Sequence, residues 1–287
     1  MNRAETESSR VVRIQEKFVF LLGMNNSGTT VASQVLTEYF DFYLPPTRNH
    51  EGQMLPEVRA ILRQKPWNPS RQVPWKDVKN AWLKRLEDSG KSTFLEASPP
   101  NIASFTSIYN EFKNDSKFIL FTSSPYLQVP SCLYNYTRPP LNEQAIKRAI
   151  DRYIRKLRYI RQIGMFHPEF PLVSYESLCR DPHEFVKDTL ISDTLHDKVE
   201  LKIGGKRNGK DEGLLAPHES IVDLTSRSIG FLDDDELSLM HSVLSSRESL
   251  LAHFGYSVAD IQDLYPLNDK FFHEGRARRE RWSSTDA

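Results

Sequence analysis

Little in this chain suggests a stapled, metal-bound or membrane-spanning protein. Its two cysteines, Cys132 and Cys179, are too few for a disulfide framework in 287 residues, and reduced, buried thiols are expected. No cluster of His and Cys has zinc-ligand spacing, so no metal is expected. No run of about 18 apolar residues occurs, which leaves no candidate membrane span. Neither sign of charge is in excess: Lys plus Arg and Asp plus Glu each number 38. Overall charge therefore gives no hint of nucleic acid or a membrane surface as partner. The segment Met1–Arg13 is polar and charged, unlike a signal peptide, and internal repeats are absent. These absences predict a soluble, cytoplasmic protein.

A core is nevertheless well provided for, with 39% hydrophobic and 11% aromatic residues. Such a chain can form one domain with extensions or two small ones. Four short apolar runs read as buried strands: Phe18–Leu22, Thr93–Leu95, Phe118–Phe121 and Pro171–Ser174. Amphipathic stretches separate them, at about 29–40, Trp75–Asp88 and Glu143–Ile163. Strands alternating with helices predict an α/β fold, a P-loop-type three-layer domain with a central parallel sheet flanked by helices. We place it at residues 14–260, with 1–13 and 261–287 as polar terminal extensions. A last helix is expected from Asp234 to His253, stopped by Gly255, and the arginine-rich tail from Asn268 is expected to be exposed. The long helix has a strongly basic side, from Lys147 through Arg152, Lys156 and Arg161. It reads either as a solvated face or as a surface attracting an anion.

The most informative stretch is Phe18 to Thr30. A strand ends at Gly23, a polar loop follows to Gly28, and a helix begins at Thr29. Strand, tight loop and helix in that order gather backbone N–H groups and the positive end of a helix dipole around one point, an anion site. The spacing Gly23-x-x-x-x-Gly28-Thr29-Thr30 is that of a P-loop, except that Thr29 stands where a nucleotide triphosphatase has its lysine. ATP or GTP hydrolysis, and a small-molecule kinase, are disfavoured; a single 5′-phosphate can still be held. The plainer alternative is a strand–turn–helix connection with Ser27 as N-cap.

Four segments, in order, resemble the sulfotransferases that use 3′-phosphoadenosine 5′-phosphosulfate (PAPS). Asn26-Ser27-Gly28-Thr29-Thr30 is similar to the family's 5′-phosphosulfate loop, and Glu96-Ala97-Ser98-Pro99-Pro100-Asn101 to the Glu-Lys-Ser-Pro-Pro-Asn of bacterial members. The strand from Lys117, with Ser123-Ser124-Pro125 and Ser131, resembles the segment that grips the 3′-phosphate. Tyr175-Glu176-Ser177-Leu178 with Asp181-Pro182 resembles the Tyr-Glu-Asp-Leu and Asp-Pro signature, and Phe254-Gly255-Tyr256 also fits. The resemblance spans about residues 17–256. It implies PAPS as co-substrate, no metal, and transfer of a sulfuryl group to a hydroxyl-bearing acceptor, a carbohydrate or small metabolite. It assigns Gly23, Asn25, Asn26, Ser27, Gly28, Thr29 and Thr30 to the nucleotide's 5′ side, and Ser123 and Ser131 to its 3′ side. The general base is expected in Thr47–Gln53, which resembles a Glu-Gly-Gln segment of bacterial members: Glu51 first, His50 second. As plain structure, Glu51 would sit in the first turn of a helix.

Three cations of the family pattern are replaced, by Asn26, Ala97 and Ser123. Charge-assisted hydrogen bonds to phosphate are about twice as strong as neutral ones, so substitutes are needed. Lys206, Arg207 and Lys210, in the Gly-rich loop Leu201–Pro217, are the leading candidates, followed by Arg48 and Arg138. A non-catalytic descendant that binds a nucleotide or partner is the alternative reading.

Overall fold

In the computed structural model, residues 12–47, 49–62, 67, 72–189, 191, 221, 223–258 and 268–284 are described. Strand β1, Phe18–Gly23, is buried along its whole length. Because successive side chains alternate across a strand, Phe18, Phe20 and Leu22 enter one apolar cluster and Val19 and Leu21 another. A strand apolar on both faces needs cover on both, and that requirement sets the architecture.

Five parallel strands form the sheet in the order β2-β3-β1-β4-β5. The others are β2 (Phe42–Tyr43), β3 (Thr93–Glu96), β4 (Ser116–Thr122) and β5 (Leu172–Ser174). Phe18 pairs with Phe94 on one side and Ser116 on the other, and the β1–β4 ladder runs on to Gly23 opposite Phe121. Helix α1 (Thr29–Tyr39), α7 (Tyr175–Arg180) and α8 (Pro182–Asp188) cover one face through Val35, Leu36, Leu178 and Phe185. The other face is covered by α2 (Pro56–Leu62), α3 (Trp75–Ser89), α4 (Phe105–Phe112), α5 (Pro125–Tyr136) and α6 (Glu143–Phe166). At its centre, the Trp82 ring stacks on Phe94 at 5.2 Å, and Phe112 meets Phe18 and Phe20 edge-on at 5.0 Å each. This is the three-layer α/β arrangement expected from the strand–helix alternation.

Parallel strands bring their carboxyl ends to one edge. After β1 the chain turns toward β2 and β3, whereas after β4 it turns toward β5, so the sheet's switch point lies between β1 and β4. Crevices at such points are where open α/β sheets bind ligands. The candidate residues 24–30 and 123–124 follow these two strands directly.

Several expectations need correction. β2 is only two residues long, too short to register as an apolar run. The last helix is two: α10 (Asp234–Ser245) and α11 (Glu248–Ala252), after α9 (Thr225–Ile229). Ser245 and Ser246 donate to the carbonyls of His241 and Val243, and such serines compete with helix continuation. Gly255 does end the second piece, with φ of 75° and Tyr256 N–H returning to Leu251 O. Trp75, at the start of α3, is buried beside Trp82, and its indole donates to Ser107. The tail is no exposed extension. It forms a terminal helix, Asp269–Ser283, whose Trp282 is buried and meets Phe231 edge-on at 5.4 Å. Gly275 lets this helix touch α9: a Cβ there would lie 2.3 Å from the Arg227 carbonyl.

Candidate active site

The loop after β1 is wound tightly enough to demand its glycines. A Cβ on Gly23 would lie 2.4 Å from Thr29 Cγ2, and one on Gly28 would lie 2.3 Å from the Tyr175 ring. Gly28 has φ of 93° and Asn26 of 58°, both left-handed, a region that Gly and Asn tolerate best. Ser27 is not the N-cap of α1: its Oγ donates to Met24 O at 2.7 Å and ties the turn. Gly28 occupies the cap, and among the described residues no side chain accepts from the first turn of α1. The uncapped N–H groups at this helix start are left for water or an anion. Asn25, Asn26, Gly28 and Thr30 are half-buried, whereas Thr29 is buried.

Side chains from α5 and α6 close around the loop. Gln128 Nε2 donates to Asn25 O at 2.8 Å, and Asn26 Nδ2 donates to Cys132 Sγ at 3.2 Å. Tyr136, largely exposed, hydrogen-bonds to the Asn25 and Asn26 side chains and feels the charge of Glu51. The charge of the base candidate thus reaches a side chain that touches the loop. Lys156 comes from α6, where its Nζ donates to Asn25 Oδ1 at 2.8 Å and lies 4.3 Å from the centroid of the Trp67 ring. Burial lowers the Lys156 pKa, and the like charges of Arg152 and Arg155 add to that; the Cys132 thiol opposes it. Among the described residues no carboxylate pairs with Lys156. Among the cations of α6 it stands out only by its place beside buried Tyr153 and Leu157, on the border of the apolar face.

Glu51 begins a short turn that the Glu96 segment grips from below. Its carboxyl accepts from Asn49 Nδ2 at 3.2 Å, and burial raises its pKa against that hydrogen bond. Next to it, Gly52 N–H donates to Glu96 Oε2 at 2.7 Å, and Gln53 N–H donates to Ser98 Oγ at 3.1 Å. Gln53 Nε2 also donates to Asn101 Oδ1 at 2.6 Å. Only glycine fits at 52, since a Cβ would lie 2.1 Å from Glu96 Oε2. Glu96 is fully buried and accepts additionally from Ser98 N–H and Asn101 Nδ2. Desolvation outweighs these donors and pushes its pKa up to about 7. His50 has φ of 58°; its ring nitrogens lie 3.1 Å from Pro45 O and 3.3 Å from Gln34 Nε2. Those contacts fit one neutral tautomer, Nδ1–H donating and Nε2 accepting, which occupies the lone pair a base would use.

The residues assigned to the 3′ side are less open. Ser123 is fully buried, its Oγ without a hydrogen-bond partner among the described residues, and Ser131 Oγ lies 3.1 Å from Ser228 Oγ of α9. Ser124 caps α5, and its N–H donates to Glu176 Oε1 at 2.8 Å. Glu176 also accepts from Tyr256 OH at 3.3 Å, so the Tyr-Glu and Phe-Gly-Tyr segments meet here. Beside them lies a cavity of about 500 Å³ lined by Glu176, Cys179, Arg180, Asp223 and Tyr256, with none of residues 23–30. Lys206, Arg207, Lys210 and Arg48 lie outside the described residues, and Arg138 is exposed.

No family model matches the chain, and no curated protein matches it. Among solved structures it is similar to the crystal structure of a sulfotransferase from Alicyclobacillus acidocaldarius, at 16% identity and a TM-score of 0.41, over 82% of this chain and 97% of that one.

Proposed function

We propose that this chain is a sulfotransferase-like enzyme that takes a sulfuryl group from PAPS and passes it to a hydroxyl of a sugar, glycan or small metabolite. The observation behind this reading is the loop of residues 23–30: two obligatory glycines, an uncapped helix start and no lysine at Thr29. The fit of a nucleotide differs between its ends. On the 5′ side, backbone N–H groups at Gly28, Thr29 and Thr30 and the amide side chains of Asn25 and Asn26 supply donors. On the 3′ side Ser123 exposes no atom, and the Ser131–Ser228 hydroxyl pair is what the described residues offer.

Sulfuryl transfer is chiefly a matter of positioning and of stabilising charge on the departing phosphate. The loop fixes that phosphate at the sheet's switch point. Glu51 takes the proton of the attacking hydroxyl at its carboxylate, and burial, by raising its pKa, makes it a stronger base. Glu96 is a positioning residue: it holds Gly52 N–H and thereby the turn that presents Glu51.

Incubation with PAPS labelled in the sulfuryl group, across a panel of sugars and phenols, tests the reading. Label should pass to at least one hydroxyl acceptor, and Glu51→Gln should cut the rate by about 100-fold or more, the usual range for a lost general base. A buried Ser123 favours the second reading, a nucleotide-binding descendant without transfer. Nucleotide binding with no labelled product from any acceptor would decide for it.

A further inference from the structure

The anion-binding loop has no cation of its own, because Asn26 and Thr29 stand where charged residues serve related loops. A cation is nevertheless present, and it comes from elsewhere in the chain. Lys156 reaches the loop from α6 and is anchored to it through Asn25 Oδ1 at 2.8 Å. The indole face of Trp67, 4.3 Å from Nζ, borders the ammonium as well.

Among the described residues, none of the groups that act on its charge is a carboxylate. Asn25 is a neutral acceptor, Cys132 is a protonated thiol whose pKa burial raises, and Arg152 and Arg155 add like charge. The uncapped start of α1 adds further positive potential at the same loop. A partly desolvated charge without a counter-charge is unfavourable, and an arriving anion removes the penalty. The chain as a whole is neutral, so this concentration of positive potential is local.

We infer that Lys156 is the loop's missing cation, supplied across the fold from helix α6, and that it holds the 5′-phosphate oxygen from which the sulfuryl group departs. The inference rests on the sulfotransferase reading and adds a catalytic residue to it. In the transfer, a bond forms between the acceptor oxygen and sulfur while the bond from sulfur to the 5′-phosphate oxygen breaks. The electron pair of the broken bond stays on that phosphate oxygen. The hydroxyl proton passes to Glu51, and Lys156 keeps its protons, donating a hydrogen bond to the phosphate oxygen as negative charge gathers there. Asn25 Oδ1 is the resting partner that the phosphate displaces.

Calorimetric titration with 3′-phosphoadenosine 5′-phosphate, on wild type, Lys156→Met and Lys156→Arg, tests this, together with the melting temperature of each protein without ligand. Lys156→Met should weaken binding on the order of 10- to 100-fold, as expected for a charged hydrogen bond. Its ligand-free melting temperature should be no lower than that of wild type, because the change removes an uncompensated charge. Lys156→Arg should recover most of the affinity. Binding by Lys156→Met within twofold of wild type overturns the inference and leaves the sulfotransferase reading standing. So does a loss of affinity that comes with a lowered melting temperature and is not recovered by arginine, since that marks a structural prop. If wild type itself fails to bind the nucleotide, the sulfotransferase reading falls and the lysine's role with it.

Discussion

Glu51 and Glu96 are both carboxylates drawn up in pKa by burial, yet their surroundings give them different work. Glu51 has one amide donor, Asn49; Glu96 is sealed under the turn with donors from Gly52, Ser98 and Asn101. Because the folded-state pKa of Glu96 is about 7 against an ordinary 4.5, the folded state binds its proton more tightly than the unfolded chain does. Its contribution to stability is complete below the unfolded value and is lost as pH rises through the folded one. Glu96→Gln does not titrate and serves as the reference. The stability of wild type relative to this variant should fall by about 3 kcal/mol at most across that window, at about 1.4 kcal/mol per pH unit. Urea unfolding of both proteins at several pH values checks it. A difference that stays flat, or that grows with pH, contradicts the assignment. Neither the pairing nor its consequence was visible in the sequence, where Gly52 and Glu96 stand 44 positions apart.

Local patterns did specify the strand, loop and helix at residues 18–39, because burial on both faces, the glycine pair and the helical period agree there. They failed where a pattern was short or overwritten. β2 has two residues, and the serines after Leu244 break a helix whose apolar period continues. In the terminal helix the arginines hide a stripe of Phe272, Gly275 and Trp282, spaced to share one face. Arg279 of this helix also pairs with Glu236 at 2.6 Å. Trp282→Ala should therefore destabilise the protein by about 3 kcal/mol, the usual cost of emptying a buried aromatic site. Chemical denaturation measures it, and a change under about 0.5 kcal/mol, typical of an exposed position, contradicts the packing of Trp282 against Phe231. Lys156 was likewise legible as one cation of a basic helix, but which of them turns toward the loop depends on how α6 lies across the sheet.

Taken whole, the chain is neutral and gathers its candidate groups at the carboxyl edge of one sheet. Two apolar clusters hold β1 between helical layers, so the loop that follows it is fixed on both sides: Tyr175 packs against Gly28, and Gln128 holds Asn25. The turn that carries Glu51 is tied through Gly52 N–H to Glu96, the last residue of the neighbouring strand β3. The central claim is that this loop holds the 5′-phosphate of a 3′-phosphorylated adenosine. Thermal unfolding with added 3′-phosphoadenosine 5′-phosphate tests it directly. At 100 times its dissociation constant the nucleotide should add about 2.7 kcal/mol of stability. ATP at the same concentration should add far less. No stabilisation by the 3′-phosphorylated nucleotide at any concentration up to its solubility, or an equal effect from ATP, would contradict the account.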